Sequence, residues 1–186
     1  MGSITETLFG IGQGNGRRPD FWLSHLIVMF WILDELTHGI QFKSPTGRCS
    51  HKSLGMGFVD DVTLGCTRKY ETEDNNKIFE EDDQGKEVLI QITDMAQKWE
   101  DMLYTDGGLL DFTKCFWIYI GWKWAQGVAI MKTTQESPRT LKVQQTQEKK
   151  EFIIQRKTIS CAPKILGCHI VADGNWKQEK KSGHTT

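Results

Sequence analysis

Apolar residues crowd the stretch 19–37 almost without interruption (Phe21, Trp22, Leu23, Leu26, Ile27, Val28, Phe30, Trp31, Leu33). That pattern predicts a helix apolar nearly all round, and hence a buried one. Pro19 suits its first position and Gly39 its stop. Residues 40–52 lose the pattern and read as loop or edge structure, with Ser44-Pro45-Thr46-Gly47 as a turn signal. Two short β-prone runs follow, Leu54 to Val59 and Val62 to Thr67, with Asp60-Asp61 between them. This spacing predicts a tight hairpin. Asp-Asp meets the positive φ of such a turn less readily than Asn-Gly, so its use there invites a functional reason.

From Glu71 to Asp83 seven acidic residues and one lysine read as a mobile acidic loop. Lys86 to Tyr104 places Val88, Ile92, Met95, Ala96, Trp99, Met102 and Leu103 at helical spacing, an amphipathic helix that Gly107-Gly108 ends. A strand is expected over 109–120, then a tryptophan-rich hairpin from Trp122 to Met131 turning near Gln126-Gly127. The polar run 132–150 reads as a loop or linker, 152–160 and 164–171 as two strands, and 175–186 as a disordered tail. The order helix, hairpin, helix, strands predicts an α+β domain with a mostly antiparallel sheet.

Composition narrows this reading only in places. A chain of 186 residues, 38% hydrophobic with 7 Trp and 9 Phe, can bury a real core. The net charge of −1 hides an asymmetry: residues 1–131 hold 12 basic and 19 acidic side chains, and residues 132–186 hold 11 and 5. A basic half can sit on phosphates, though a solvated surface explains it as well. The five cysteines show no paired spacing, so reduced, mostly buried thiols are expected rather than a zinc site. The longest apolar run, Leu26 to Leu33, is far short of a membrane span, and the first fifteen residues lack a secretory pattern. A soluble intracellular protein without membrane attachment is the expectation.

Among single residues, His25 on the apolar helix reads as a satisfied core histidine. Core and sheet packing is favoured for Trp117, Trp122 and Trp124 over stacking on bases. The glycine-rich segment 10–18 fails the dinucleotide pattern at Asn15, and Arg17-Arg18 follow where a phosphate-loop lysine would stand.

Asp60 and Asp61 carry the most specific chemistry. Nucleotidyl transfer needs two divalent ions held by hard oxygen ligands, and adjacent aspartates at a hairpin tip can reach such ions. Phe58-Val59-Asp60-Asp61 between apolar strands resembles the catalytic hairpin of reverse transcriptases, motif C of that family. Gly12-Gln13-Gly14 with Pro19 and a helix behind it resembles motif B. The amphipathic helix with Trp99, then Gly107-Gly108-Leu109-Leu110 and Lys114-Cys115-Phe116-Trp117, resembles motif D. Ile165-Leu166-Gly167 resembles a stretch found after the palm of non-LTR, LINE-like and retroplasmid-type elements.

The resemblance implies a partial polymerase palm over 1–131, with antiparallel sheet and packed helices. Basic post-palm strands would occupy 132–174. Asp60 and Asp61 would be catalytic metal ligands for Mg²⁺ or Mn²⁺. Gln13 and Gly14 would form the nucleotide/template loop, and Lys114 would stand near the leaving pyrophosphate. Nucleic acid, an RNA template with a DNA primer, is the implied partner. The departures also matter. Only Glu6 offers a carboxylate before Gly12, so the aspartate strand of motif A has no counterpart, and Arg18 replaces the motif B serine. An inactive palm fragment is therefore expected, with self-association through an exposed sheet edge. The alternatives are a non-catalytic nucleic-acid-binding remnant or a degraded reading frame.

Overall fold

The computed structural model describes residues 18–58, 61–67, 81–137, 139–161, 163–165 and 168–169. Helix α1 runs Arg18–Leu36 and helix α2 Glu81–Thr105. Between them lie two hairpins, β1 (Ile40–Lys43) with β2 (Ser50–Ser53), and β3 (Gly55–Phe58) with β4 (Asp61–Leu64). After α2 come β5 (Phe116–Trp117), the hairpin β6 (Trp122–Ala125) with β7 (Val128–Met131), β8 (Leu141–Gln144), β9 (Glu151–Arg156), and a short hairpin β10 (Lys164–Ile165) with β11 (Cys168–His169). The fold is α+β, as expected. Pairing is antiparallel except where β5 runs parallel to β9 in the three-stranded sheet β5–β9–β8.

Helix α2 organises the interior because two of its faces are apolar. One face sets Met95, Trp99 and Leu103 against Leu26, Met29 and Leu33 of α1 and against Leu54, with Val62 and Leu64 of β4 packed alongside. Phe30 and Trp99 meet ring to ring at 5.4 Å. The other face lays Leu89 and Ala96 on a second core of Trp117, Leu141, Val143 and Ile154. Ile92 touches both cores. The helix ends as its glycines predict. Gly107 has φ +78, Gly108 N–H donates to the Leu103 carbonyl and Gly107 N–H to that of Tyr104, closing a Schellman turn. The last turn of α1 has no basic residue of its own, and cations from elsewhere answer its free carbonyls: Lys52 donates to Asp34 O and Lys98 to Leu36 O.

Several expectations need correction. Helix α1 is not buried all round: Leu26, Met29 and Leu33 face the core, while Leu23, Ile27, Val28, Trp31, Ile32 and Leu36 are exposed. Residues 40–53 form a true hairpin around the foreseen turn, where Gly47 N–H donates to Ser44 O. Residues 81–83 of the expected acidic loop belong to α2, and 71–80 lie outside the described residues, as does the tail 175–186. The strand expected over 109–120 is only Phe116–Trp117, because Asp111 turns the chain by accepting from Thr113 N–H and its hydroxyl. Inside the expected linker, β8 buries Leu141 and Val143.

Of the cysteines, Cys49 is exposed, while Cys66, Cys115 and Cys161 are half-buried free thiols. Burial pushes the Cys66 thiol up to about 11. His25 is a half-buried partner of the Asp106 carboxylate and stacks on Trp22, rather than a core residue. Among the described residues no helix is long and apolar enough to cross a membrane.

Candidate functional site

The hairpin β3–β4 is held against the helices by what it lacks as much as by what it carries. Pairing sets Gly55 opposite Leu64, Met56 opposite Thr63, Gly57 opposite Val62 and Phe58 opposite Asp61. Val62 and Leu64 turn toward the core, and Gly57 across from Val62 lets α1 approach. A Cβ on Gly57 would come within 3.2 Å of the Phe30 ring and 3.5 Å of Leu26. At Gly55 the strands are closer still: a Cβ would lie 1.9 Å from the Thr63 carbonyl oxygen. An isolated two-stranded hairpin is marginal in water, so this seat on α1 supplies much of its stability.

The register places Asp61 in β4 rather than in the turn. The turn expected at Asp60-Asp61 is therefore shifted by one position, and the residues between the strand ends are Val59 and Asp60. Alternation along β4 sends Asp61 and Thr63 to the exposed face and Val62 and Leu64 inward. Asp61 thus shares the open face with Met56, which is 70% exposed, on the side away from the helices. Asp61 has no ion pair within the described part of the chain. The edges of β3 and β4 take no further strand partner among the described residues. Beside β3, Leu23, Leu26, Ile27 and Phe30 of α1 line an apolar groove of about 340 Å³ together with Gly55, Met56 and Gly57.

The other sequence-predicted residues are not gathered here. Asp60, Gln13 and Gly14 lie outside the described residues. Lys114 is in the turn after α2, highly exposed, and pairs with Asp111 at 3.2 Å. The two bonds from Thr113, ahead of Lys114, hold the Asp111 carboxyl below its usual range. By donor chemistry Asp61 suits a hard divalent cation. Among the described residues, however, no group of three His, Cys, Asp or Glu side chains stands close enough to hold a metal ion.

Sequence reasoning missed two further groups. Glu100 on α2 is fully buried between the cores; one carboxylate oxygen accepts from Thr146 N–H at 3.3 Å and the other has no partner. Burial raises its carboxyl above the ordinary glutamate range. Arg156 ends β9 with its guanidinium 5.1 Å from the Trp117 ring and 5.8 Å from that of Tyr119. The only sequence sign of either was a charged residue at an inward position of its element. Comparison with known protein families, with curated proteins and with solved structures finds no match to this chain.

Proposed function

We propose that the chain is the palm portion of a retroelement RNA-directed DNA polymerase, with Asp60 and Asp61 as metal ligands, and that residues 1–186 do not polymerise alone. The observation that supports it is a two-stranded hairpin, backed by packed helices, with Asp61 on the face turned away from them. A carboxylate so placed has no cation paired with it among the described residues and is open to a substrate approaching that face. Divalent ions, when bound, would activate a primer 3′-oxygen and stabilise the departing pyrophosphate. Asp61 would offer its oxygens from the end of β4, with Asp60 beside it in sequence. Gln13 and Gly14 would line the nucleotide/template loop. Lys114 would leave its exposed pair with Asp111 at little cost, since solvent screens such surface pairs.

A non-catalytic role in binding nucleic acid is the second reading, favoured by the basic strands and exposed indoles after α2. The two are separated by a titration with Mn²⁺, followed through the relaxation of solvent protons. We expect a weak site, about millimolar, because two carboxylates leave the ion mostly hydrated. Changing both Asp60→Asn and Asp61→Asn should abolish it. Unchanged binding in that double variant would move the ion to other carboxylates, such as those of 71–83, and would sink the hairpin as a metal centre.

A further inference from the structure

The hairpin β6–β7 contributes no residue to either core and is closed by bonds at both ends. Gln126 (φ 52) and Gly127 (φ 78) make the two-residue turn with both central residues left-handed, which matches the twist of the flanking strands. At its open end Lys132 N–H donates to Gly121 O. On one face Lys123 pairs with Glu136, whose other oxygen accepts from Thr133 N–H at 2.7 Å. Those contacts, Lys123 first, hold the Glu136 carboxyl down at about 2, so it stays ionised and its charge is balanced by Lys123.

The opposite face carries Trp122 and Trp124, two residues apart on β6 and so side by side. They are 53% and 75% exposed. Their cross-strand partners, Met131 and the small Ala129, leave the indoles uncovered. The expectation that they pack into core or sheet is overturned. Among the described residues neither ring meets another ring or a cation, whereas Trp22, Trp99 and Trp117 each do.

Cations gather where this hairpin leaves the sheet. Lys157 N–H bonds to Trp117 O and its ammonium lies 4.0 Å from the Phe116 ring. Arg156 reaches the rings of Trp117 and Tyr119 and donates to Ser137 O, while Arg139 Nε donates to Ser137 Oγ at 3.2 Å. Burial, and then the neighbouring Arg139 guanidinium, lowers the Arg156 pKa. Arg156 Nε and Trp117 Nε1 are buried donors with no acceptor among the described residues. Over 116–161 the sequence holds eight basic and three acidic residues, a net of +5.

We propose that the β6–β7 hairpin is a binding surface for single-stranded nucleic acid, with Trp122 and Trp124 stacking on bases and Lys132, Arg139, Arg156 and Lys157 facing its phosphates. The spacing selects single strands. Alternate residues of a strand stand about 6.6–6.8 Å apart, twice the roughly 3.4 Å rise per nucleotide of a stacked strand, so each indole takes a base only from an extended chain. The surface depends neither on Asp60 nor on Asp61 and stands independently of the polymerase reading.

Fluorescence anisotropy with labelled oligo(dT) and oligo(U), about ten nucleotides long, tests the idea on the full chain and separates DNA from RNA. We expect Trp quenching and salt-sensitive binding to one or both oligonucleotides, and weaker binding to a duplex of the same length. Trp122→Ala and Trp124→Ala should each weaken binding about fivefold or more, and Trp→Phe should restore most of it. Lys132→Gln with Lys157→Gln should instead reduce the salt slope. Equal affinity for duplex, or no loss in the double Trp→Ala variant with its circular dichroism intact, would overturn the proposal and leave only nonspecific basic attraction. A chain that ignores oligonucleotides, yet sediments as an oligomer that those Trp variants dissociate, would assign the indoles to protein contacts and would also overturn it.

Discussion

Glu100 shows what one misplaced charge does in this interior. Its side chain is enclosed between α2, the turn at Thr146 and the chain near Leu110, whose backbone groups offset its charge only in part. With its folded pKa raised above 4.5, the folded state binds more protons than the unfolded one between that value and the raised one. Stability therefore falls as pH rises through that window, and the cost of the buried charge persists above it. Glu100→Gln keeps an acceptor for Thr146 and removes the charge. Urea denaturation between about pH 4 and pH 7 should show the fall in the parent and a flatter profile in the variant, which gains on the order of 1 kcal/mol at the upper end. A parent whose stability rises across that interval through Glu100 would refute the buried-charge account. The aspartate hairpin was legible at this scale by residue identity alone. Its register was not, because the β-prone runs read equally well with the turn one position later. Packing decides it: a slip of one residue would send Val62 and Leu64 to solvent.

At the scale of elements, the sequence reveals periodicity but not what covers a face. Helix α1 was legible to within one residue; α2 was legible at its end but begins five residues before the expected Lys86, and its Gly107-Gly108 stop was readable because only left-handed backbone closes that turn. That α1 has a covered side and an open side was not legible, since its apolar residues occupy both. Strand β8 was hidden for the opposite reason. Leu141 and Val143 are its only apolar residues within a polar run, too few to give a period, and its pairing with β9 comes from a segment ten residues on. Yet Leu141 is among the most buried side chains of the second core. Leu141→Ala should cost about 2–5 kcal/mol, as for other buried leucines. Lys142→Ala, which breaks only the exposed pair with Glu151, should cost about 1 kcal/mol or less. Guanidinium melts of the two variants check this, and equal losses would show that 141–144 is the linker its polarity suggested.

For the molecule as a whole, the α+β class followed from element order, but the division of labour around α2 did not, because Ile92 and its neighbours give one amphipathic pattern that serves two cores. Activity is a whole-molecule property in the same sense. A two-metal polymerase needs carboxylates from more than one strand, and the described residues offer Asp61 with no companion cluster. Lacking a bridging ligand forfeits much of the several kcal/mol that metal ions contribute to the transition state. We therefore expect no primer extension on an RNA template by residues 1–186, with either Mg²⁺ or Mn²⁺, in an assay that resolves single-nucleotide addition. Supplying a strand that bears the missing aspartate, joined ahead of residue 1, should be necessary for any extension. Template-dependent synthesis by the chain alone, abolished by Asp60→Asn, would overturn this expectation. It would mean that a carboxylate such as Asp20 or Asp111, or a second copy of the chain, completes the site.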